Sequence, residues 1–254
     1  RGDFAADGEE FYDLTKIQLV DVASVHEWYG ADVNVNTDVM VSEFASSQVG
    51  LNMVGSTYIS NDLLSSRVEI HLGERARVAA MQLSNQPSGN YDYLLGANSG
   101  ATFGGDGTAL KLDLNASAFR DVGLVGNALS EGVVVEEIFD TTLPFFTGAE
   151  IHYGLGYVRL FTSEIVDITP NALFNLSKIF IVDQTGQRNE PDAVCLDGAF
   201  FNTTDDSTEI FLTLTENQRI AALLISGVAG GDGTEGKLDA AAPCMRDLAG
   251  NFNP

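Results

Sequence analysis

The chain has 254 residues, of which 44% are hydrophobic, and 36 acidic against 13 basic side chains give it a formal net charge of −23. That charge repels phosphate backbones and anionic membrane surfaces, so it argues against nucleic acid as a partner. No apolar run reaches the roughly 18 to 20 residues that cross a bilayer, and the sequence therefore predicts no membrane span.

An internal repeat divides the chain into two related halves. Residues 104–122, GGDGTALKLDLNASAFRDV, match residues 230–248 at 11 of 19 positions without a gap. Earlier in the chain, LTKIQLVD from Leu14 recurs as LSKIFIVD from Leu176. A copy near half the chain length indicates two units, and the many Val, Ile, Phe and Thr residues favour strands.

The first predicted elements are strands. Apolar and polar residues alternate in both copies of the LTKIQLVD motif, which is typical of a half-buried strand. Alternating runs in residues 22–67 predict one or two extra strands in the first half. The matched residues 68–84 and 208–226 predict two strands joined by a polar turn. A short helix from Arg75 to Met81 is the alternative, because alanine is frequent there.

Residues 85–103 are an insertion in the first half, rich in glycine and aromatic residues. They predict a long loop whose Tyr91 and Tyr93 offer a contact surface for a ligand. The alternative is an ordinary variable loop that packs on its own domain. Each GGDG that follows predicts a turn entering a strand, since Asp-Gly accepts positive φ, and Leu112 and Leu238 are predicted to face inward.

Two Arg-Asp pairs, Arg120-Asp121 and Arg246-Asp247, precede Gly-Asn turns. We expect each aspartate to accept turn amides while each arginine covers the end of its domain. Residues 150–167 predict a hairpin through Gly154 and Gly156.

The two halves are incomplete at opposite ends. The hairpin at residues 150–167 has no counterpart before Leu14, and the strand VVVEEIF that follows Asn127 has none after Asn251. A sheet that lacks a strand exposes unpaired backbone groups and part of its core. The sequence therefore predicts that neighbouring copies supply the missing strand by β-augmentation. The alternative is a fragment of a longer repeat protein.

The N-terminal residues are the predicted donated strand. Glu9-Glu10-Phe11-Tyr12-Asp13 resembles Glu136-Glu137-Ile138-Phe139-Asp140, the end of the strand that follows the first half. Phe4, Phe11 and Tyr12 are its predicted assembly residues. Head-to-tail contacts of this kind generate filaments when they do not close into a ring.

Three sequons, at Asn115, Asn175 and Asn202, predict N-linked glycans and an extracellular, secreted or cell-surface protein. Chance occurrence is the alternative. Cys195 and Cys244 both lie in the second half, where they permit one intradomain disulfide and exclude a four-cysteine zinc site. Two buried free thiols are the alternative.

Catalytic signatures are absent from the sequence. It contains no Gly-x-Ser-x-Gly elbow, no phosphate-binding Gly-rich loop and no His-Glu-x-x-His motif, so we predict no enzyme and no cofactor. Asp205-Asp206 and Glu136-Glu137 offer oxygen ligands for calcium, although adjacent carboxylates also form solvated surfaces.

Four short segments of the second half belong together: DTTLP at residues 140–144, YVRLFTSE at 157–164, LSKI at 176–179 and RDLAGN at 246–251. They resemble the immunoglobulin-like β-sandwich repeats of large cell-surface and motility-associated proteins. The first half departs from the pattern, since it lacks the DTTLP start and has VGLVGN in place of the compact close. The resemblance implies an all-β protein of two tandem Ig-like β-sandwich domains, residues 1–139 and 140–254, with structural or adhesive roles and no catalytic residues.

Paired Ig-like units with sequons and incomplete ends are also similar to subunits of glycosylated extracellular filaments, such as the mastigoneme or glycocalyx filaments of algae and protists. The resulting hypothesis is a structural subunit that forms a head-to-tail homopolymer by strand addition. The alternative hypothesis is a cell-surface adhesin or glycan-binding module that contacts its ligand through Tyr91 and Tyr93.

Overall fold

Two compact units make up the chain. The computed structural model describes residues 13–20, 51–52, 57–58, 68–87, 91–92, 96–97 and 103–254. Unit 1 comprises Arg1–Ser88 and Gly104–Asp140, and unit 2 comprises Gly89–Phe103 and Thr141–Pro254. The regular structure of the described residues is mostly antiparallel sheet with few helices, which confirms the predicted all-β class.

The strands of the described residues are, in chain order, β1 (Ile17–Val20), β2 (Leu51–Asn52), β3 (Thr57–Tyr58), β4 (Ile70–His71), β5 (Tyr91–Asp92), β6 (Gly96–Ala97), β7 (Lys111–Leu114), β8 (Ser130–Val134), β9 (Phe146–His152), β10 (Tyr157–Val166), β11 (Ile179–Val182), β12 (Val194–Cys195), β13 (Phe200–Phe201), β14 (Ser207–Thr213) and β15 (Lys237–Ala240). The helices are α1 (Glu74–Gln82) and α2 (Glu216–Leu224). Short 3-10 turns occupy Leu14–Lys16, Asn171–Leu173 and Leu176–Lys178.

Unit 1 is organised by a sheet of strand order β2-β1-β7-β8, in which all pairs are antiparallel. β4 pairs separately with β3. The apolar side chains of β1 pack with those of α1 and of the segments that flank β7, so that this sheet and helix share one core. Its fully buried members are Ile17, Leu19, Ala79, Ala80, Leu110 and Ala118.

Unit 2 has a four-stranded sheet of order β13-β14-β10-β9 and a three-stranded sheet of order β12-β11-β15. Side chains of β10, β11 and β14 contribute to one buried cluster, so the two sheets pack on a common core. The predicted hairpin is confirmed as β9 and β10, which pair through a turn that contains Gly154 and Gly156. Val158, Leu160 and Ile165 of this hairpin are buried.

The sequence repeat is also a structural repeat. β1 pairs with β7 so that Ile17 faces Leu114, and β11 pairs with β15 so that Ile179 faces Ala240. These are the same positions of the two copies. A shift of one residue would exchange buried and exposed faces, so the shared register shows that both units bury the same face of the repeated strands.

The predicted second strand of each hairpin at residues 68–84 and 208–226 is wrong, and the alternative helix is confirmed. In unit 2 Thr215 forms a capping box with Gln218. Bidentate pairs one helical turn apart, Glu74–Arg77 and Glu216–Arg219, stabilise the first turn of each helix. Neither of these helices in the described residues is long and apolar enough to cross a membrane.

Replacing Thr215 by alanine is expected to lower the free energy of unfolding of unit 2 by about 1 kcal/mol, because the cap satisfies an otherwise unpaired helix amide. Urea unfolding followed by far-UV circular dichroism measures the loss. The exposed Thr234, which lies outside the helix, provides the matched alanine control. An equal loss in both variants would show that the cap contributes nothing specific.

Each GGDG motif forms a turn, as predicted, and the turn closes on the end of the preceding helix. Gly107 N donates to Ser84 O at 3.2 Å, and Gly233 N donates to Ser226 O at 3.1 Å. In each turn the aspartate side chain accepts the backbone amide two residues later, at 2.7 and 2.8 Å. The motif therefore joins helix to strand, which explains why its glycines recur in both copies.

The aspartates of the repeated strand are more deeply buried than the alternation predicts. Asp113 and Asp239 are buried, whereas Leu112 and Leu238 are half-buried. Each aspartate accepts a backbone amide from another segment, at 2.5 and 2.6 Å. These hydrogen bonds compensate the cost of burying a carboxylate.

Arg246 does not cover the end of the domain, so that prediction is wrong. Its side chain is 0% exposed, and Nε and Nη2 both donate to Asp167 Oδ2, at 3.0 and 2.7 Å. Burial and the neighbouring Asp206 raise the pKa of Asp167 to about 6, although the contacts with Arg246 oppose the shift. The predicted role of the adjacent aspartate is confirmed, because Asp247 Oδ1 accepts the turn amide of Asn251.

Candidate functional site

In unit 1 the outer edge of β7 is covered by β8. The two strands are antiparallel, with Lys111 opposite Val134, and a register shift follows where Gly132 N donates to Asp113 Oδ1. Unit 1 therefore has no open edge at β7. The VVVEEIF run at residues 133–139 predicted a strand here, but β8 overlaps that run only at Val133 and Val134, and residues 135–139 are not strand.

The chain that follows β8 continues over the same unit. Glu137 accepts two backbone amides with one carboxylate: Oε1 accepts from Leu110 N at 2.8 Å and Oε2 from Asn85 N at 2.9 Å. Asp140 exchanges two hydrogen bonds with the Gln86 side chain, at 2.9 and 3.2 Å. The Asp140 carboxylate also accepts from Arg77. We call residues 130–140 the completing segment of unit 1.

The equivalent edge of unit 2 has no partner strand within the described residues. β15 corresponds to β7, and among the described strands it pairs with β11 alone. β9 is likewise an edge strand of the other sheet, because its described partner is β10. Among the described strands, β15 and β9 of unit 2 are therefore edge strands, whereas β7 of unit 1 has a partner on each side.

A groove of about 350 Å³ lies between these two edge strands. We call it the acceptor groove. Its lining is largely apolar or small. The charged members are Glu150 of β9 and Lys237 of β15, and charged side chains are usual on edge strands exposed to water. It is lined by Phe146, Thr147, Gly148, Ala149, Glu150, Ile151, Val158, Ile181, Gly236, Lys237, Leu238 and Ala240.

Matched positions in the two helices and in the residues just after them differ in exposure. Val78 of α1 is 1% exposed, whereas its counterpart in α2, Ile220, is 44% exposed. Gln86 is 7% exposed and its counterpart Val228 is 46% exposed. Leu224, one turn beyond Ile220, is exposed as well. Unit 2 therefore exposes an apolar helix face that unit 1 buries, and exposed apolar surface of this kind often marks a binding site.

The predicted assembly residues Phe4, Phe11 and Tyr12 lie outside the described residues, as does Tyr93 of the predicted ligand loop. Tyr91 begins β5, which pairs with β6. The insertion ends at Phe103, whose ring lies 4.7 Å from the guanidinium of Arg246 within unit 2.

The three predicted glycosylation sites differ in surroundings. Asn202 is exposed, and its Nδ2 donates to Thr213 Oγ1 at 2.8 Å. Asn175 Oδ1 accepts from the hydroxyl of Ser177 at 2.6 Å. Asn115 is half-buried, and its Oδ1 accepts the amide of the next residue. N-glycosylation of these sites stays a prediction.

Both cysteines are free thiols in the structure. Cys195 Sγ donates to Ser177 O at 3.5 Å, and the backbone oxygen of Cys244 accepts from Asn175 N. Burial raises the pKa of the Cys244 thiol to about 12, which keeps it protonated and unreactive near neutral pH. The bridge between them stays a prediction.

The acidic pairs proposed for calcium have structural roles. Asp206 Oδ1 accepts from Ile168 N at 2.9 Å and from Thr169 Oγ1 at 2.6 Å. Glu137 binds the two amides described above. The double amide contact of Glu137 was not anticipated from the sequence, although its recurrence as Glu10 was visible there.

Comparison of the chain with protein-family models, curated proteins and solved structures found no match. The acceptor groove is therefore interpreted from its own geometry and from its covered counterpart in unit 1.

Proposed function

We propose that the protein is a structural subunit of an extracellular glycosylated filament, in which each copy adds a strand to the acceptor groove of its neighbour. The observation that supports this is the open edge of β15, whose counterpart in unit 1 is covered by β8. The proposal includes two tandem Ig-like β-sandwich domains, residues 1–139 and 140–254, in a head-to-tail homopolymer. It also includes N-linked glycans at Asn115, Asn175 and Asn202.

Strand addition would explain why the groove combines an edge strand with apolar and small residues. An incoming strand would satisfy the outward backbone groups of β15 and cover the half-buried Leu238 and Ala240. Small residues at Gly148 and Ala149 leave room for its backbone on the opposite wall. Because groove and donated strand are different surfaces of one chain, the contact is heterologous and propagates into a fibre when it does not close.

Filling the acceptor groove is expected to abolish assembly. In an Ala240→Trp variant the indole occupies much of a groove of about 350 Å³ and leaves no space for a strand. Ala149→Trp does so from the other wall, at an exposed position where the substitution is tolerated by the fold. Electron microscopy and sedimentation velocity measure assembly, and circular dichroism verifies folding.

The matched control is Ala172→Trp, at an exposed residue of unit 2 that does not line the groove. Fibres from the wild type and from this control, but from neither groove variant, are the expected result. A wild-type chain that remains monomeric at high concentration, or folded groove variants that assemble normally, would refute the proposed function.

A further inference from the structure

A pair of backbone amides lies at one end of the acceptor groove. Ser84 and Ser226 make the same hydrogen bond to the end of their helices, so the residues that follow them, Asn85 and Gly227, correspond. Leu110 and Gly236 correspond because each precedes the lysine that begins the repeated strand. The two amides that bind Glu137 in unit 1 therefore have Gly227 N and Gly236 N as counterparts.

These two amides are available in unit 2. Within the part of the chain that the structure describes, neither Gly227 N nor Gly236 N has a hydrogen-bond acceptor. They also lie close together, because a Cβ on Gly227 would stand 3.7 Å from Glu235 N, adjacent in sequence to Gly236. Gly236 lines the groove itself.

The other polar contacts of the completing segment are not reproduced in unit 2. Val228 replaces Gln86, so the paired amide contact made to Asp140 has no equivalent. Arg219, the counterpart of Arg77, donates to Tyr153 O at 3.0 Å and to Glu216. Of the groups that bond the side chains of Glu137 and Asp140 in unit 1, unit 2 retains the two amides as free donors among the described residues.

We infer that the acceptor groove selects a strand carrying a glutamate whose carboxylate bridges Gly227 N and Gly236 N, and that this residue is Glu10 of a second copy. The inference rests on the proposed function and names the partner and its recognition. Glu10 takes the place of Glu137 when Glu9–Asp13 is aligned with Glu136–Asp140. A carboxylate that accepts two amides makes the strong, charge-assisted hydrogen bonds that fix a strand in one register.

The donated strand ends before Asp13. This residue belongs to its own unit 1, where its amide donates to Ala118 O at 2.8 Å and its carboxylate lies 3.4 Å from Lys16 Nζ. In unit 1 Gln86 binds Asp140, which is the residue aligned with Asp13. Unit 2 has Val228 in place of Gln86, so the groove offers no such contact to Asp13. The donated strand therefore consists of residues before Asp13, with Glu10 as its polar anchor and Phe4, Phe11 and Tyr12 as its apolar residues.

Peptides of residues 1–13 test the inference without altering the folded chain. Each is added to the assembling full-length protein, at physiological salt so that copies of charge −23 approach one another. The wild-type peptide and its Glu9→Gln variant are expected to inhibit fibre growth equally. The Glu10→Gln peptide is expected to need about a 10-fold or higher concentration, the cost of losing a charge-assisted contact. Light scattering records the growth rate.

Glu9→Gln is the matched control because its counterpart Glu136 is exposed, whereas Glu137 is half-buried and bonded. If the wild-type and Glu10→Gln peptides inhibit equally, the glutamate contact is wrong while strand addition stands. If residues 128–140 inhibit as a peptide and residues 1–13 do not, the N-terminal occupant is wrong. If the full chain does not assemble and no peptide binds it, the proposed function itself fails.

Discussion

Replacing Gly231 by alanine is expected to destabilise unit 2 by about 4 kcal/mol, at the upper end of single substitutions. A Cβ at this position would stand 2.1 Å from Ser226 O and 2.7 Å from Leu223 O, both backbone atoms at the end of α2. The turn cannot retreat without breaking the hydrogen bond from Gly233 N to Ser226 O. Hydrogen exchange with mass spectrometry measures the loss and reports on each unit separately.

The same test can be made in unit 1, where Gly105 is the counterpart of Gly231. A Cβ on Gly105 would stand 2.0 Å from Ser84 O, so Gly105→Ala is expected to destabilise unit 1 as strongly. Gly148→Ala is the control, because its nearest neighbour is a Phe161 side-chain carbon at 3.7 Å, an ordinary contact. A stable Gly231→Ala protein with native exchange would show that the close approach of turn and helix is not needed.

Replacing Asp167 by alanine is expected to lower the free energy of unfolding of unit 2 by about 3 to 5 kcal/mol near neutral pH. The substitution leaves the guanidinium of Arg246 fully buried without its carboxylate. The Phe103 ring 4.7 Å away interacts favourably with the cation but does not accept its N–H groups. Urea denaturation of the variant measures the effect.

A double substitution separates the ion pair from the space it fills. Asp167→Leu with Arg246→Met removes both charges and keeps apolar volume, so it is expected to recover much of the lost stability. The exposed pair Arg159–Glu209 is the control, and Glu209→Ala there is expected to cost far less stability, because water screens the pair. A loss for Asp167→Ala as small as that would contradict the importance of the buried pair.

Several elements followed from local sequence. The two copies of GGDG required positive φ, and the structure has Gly107 at +89° and Gly233 at +92°. The hairpin of β9 and β10 followed from alternation around Gly154 and Gly156. The helices did not follow from local sequence in this way. Alternating apolar residues at 208–226 indicated a strand, whereas in the structure the capping box of Thr215 and Gln218 stabilises a helix.

The buried residues illustrate what sequence pattern cannot reveal. Arg246 and Asp167 are 79 positions apart. Nothing in their neighbours indicates that they meet. A charged residue is predicted to be exposed unless its partner is known, and partners so distant in sequence are brought together by folding alone.

The sequence by itself determined that this protein contains two copies of one unit and that the copies are rich in strands. These properties are local, because they depend on turn residues, alternation and identity between segments. Only the tertiary structure decided that β8 covers the edge of β7, that β15 pairs with β11 alone among the described strands, and that Glu137 binds two amides. The physical reason is that a strand edge is open or closed according to which distant segment pairs with it, and pairing is a property of the folded chain.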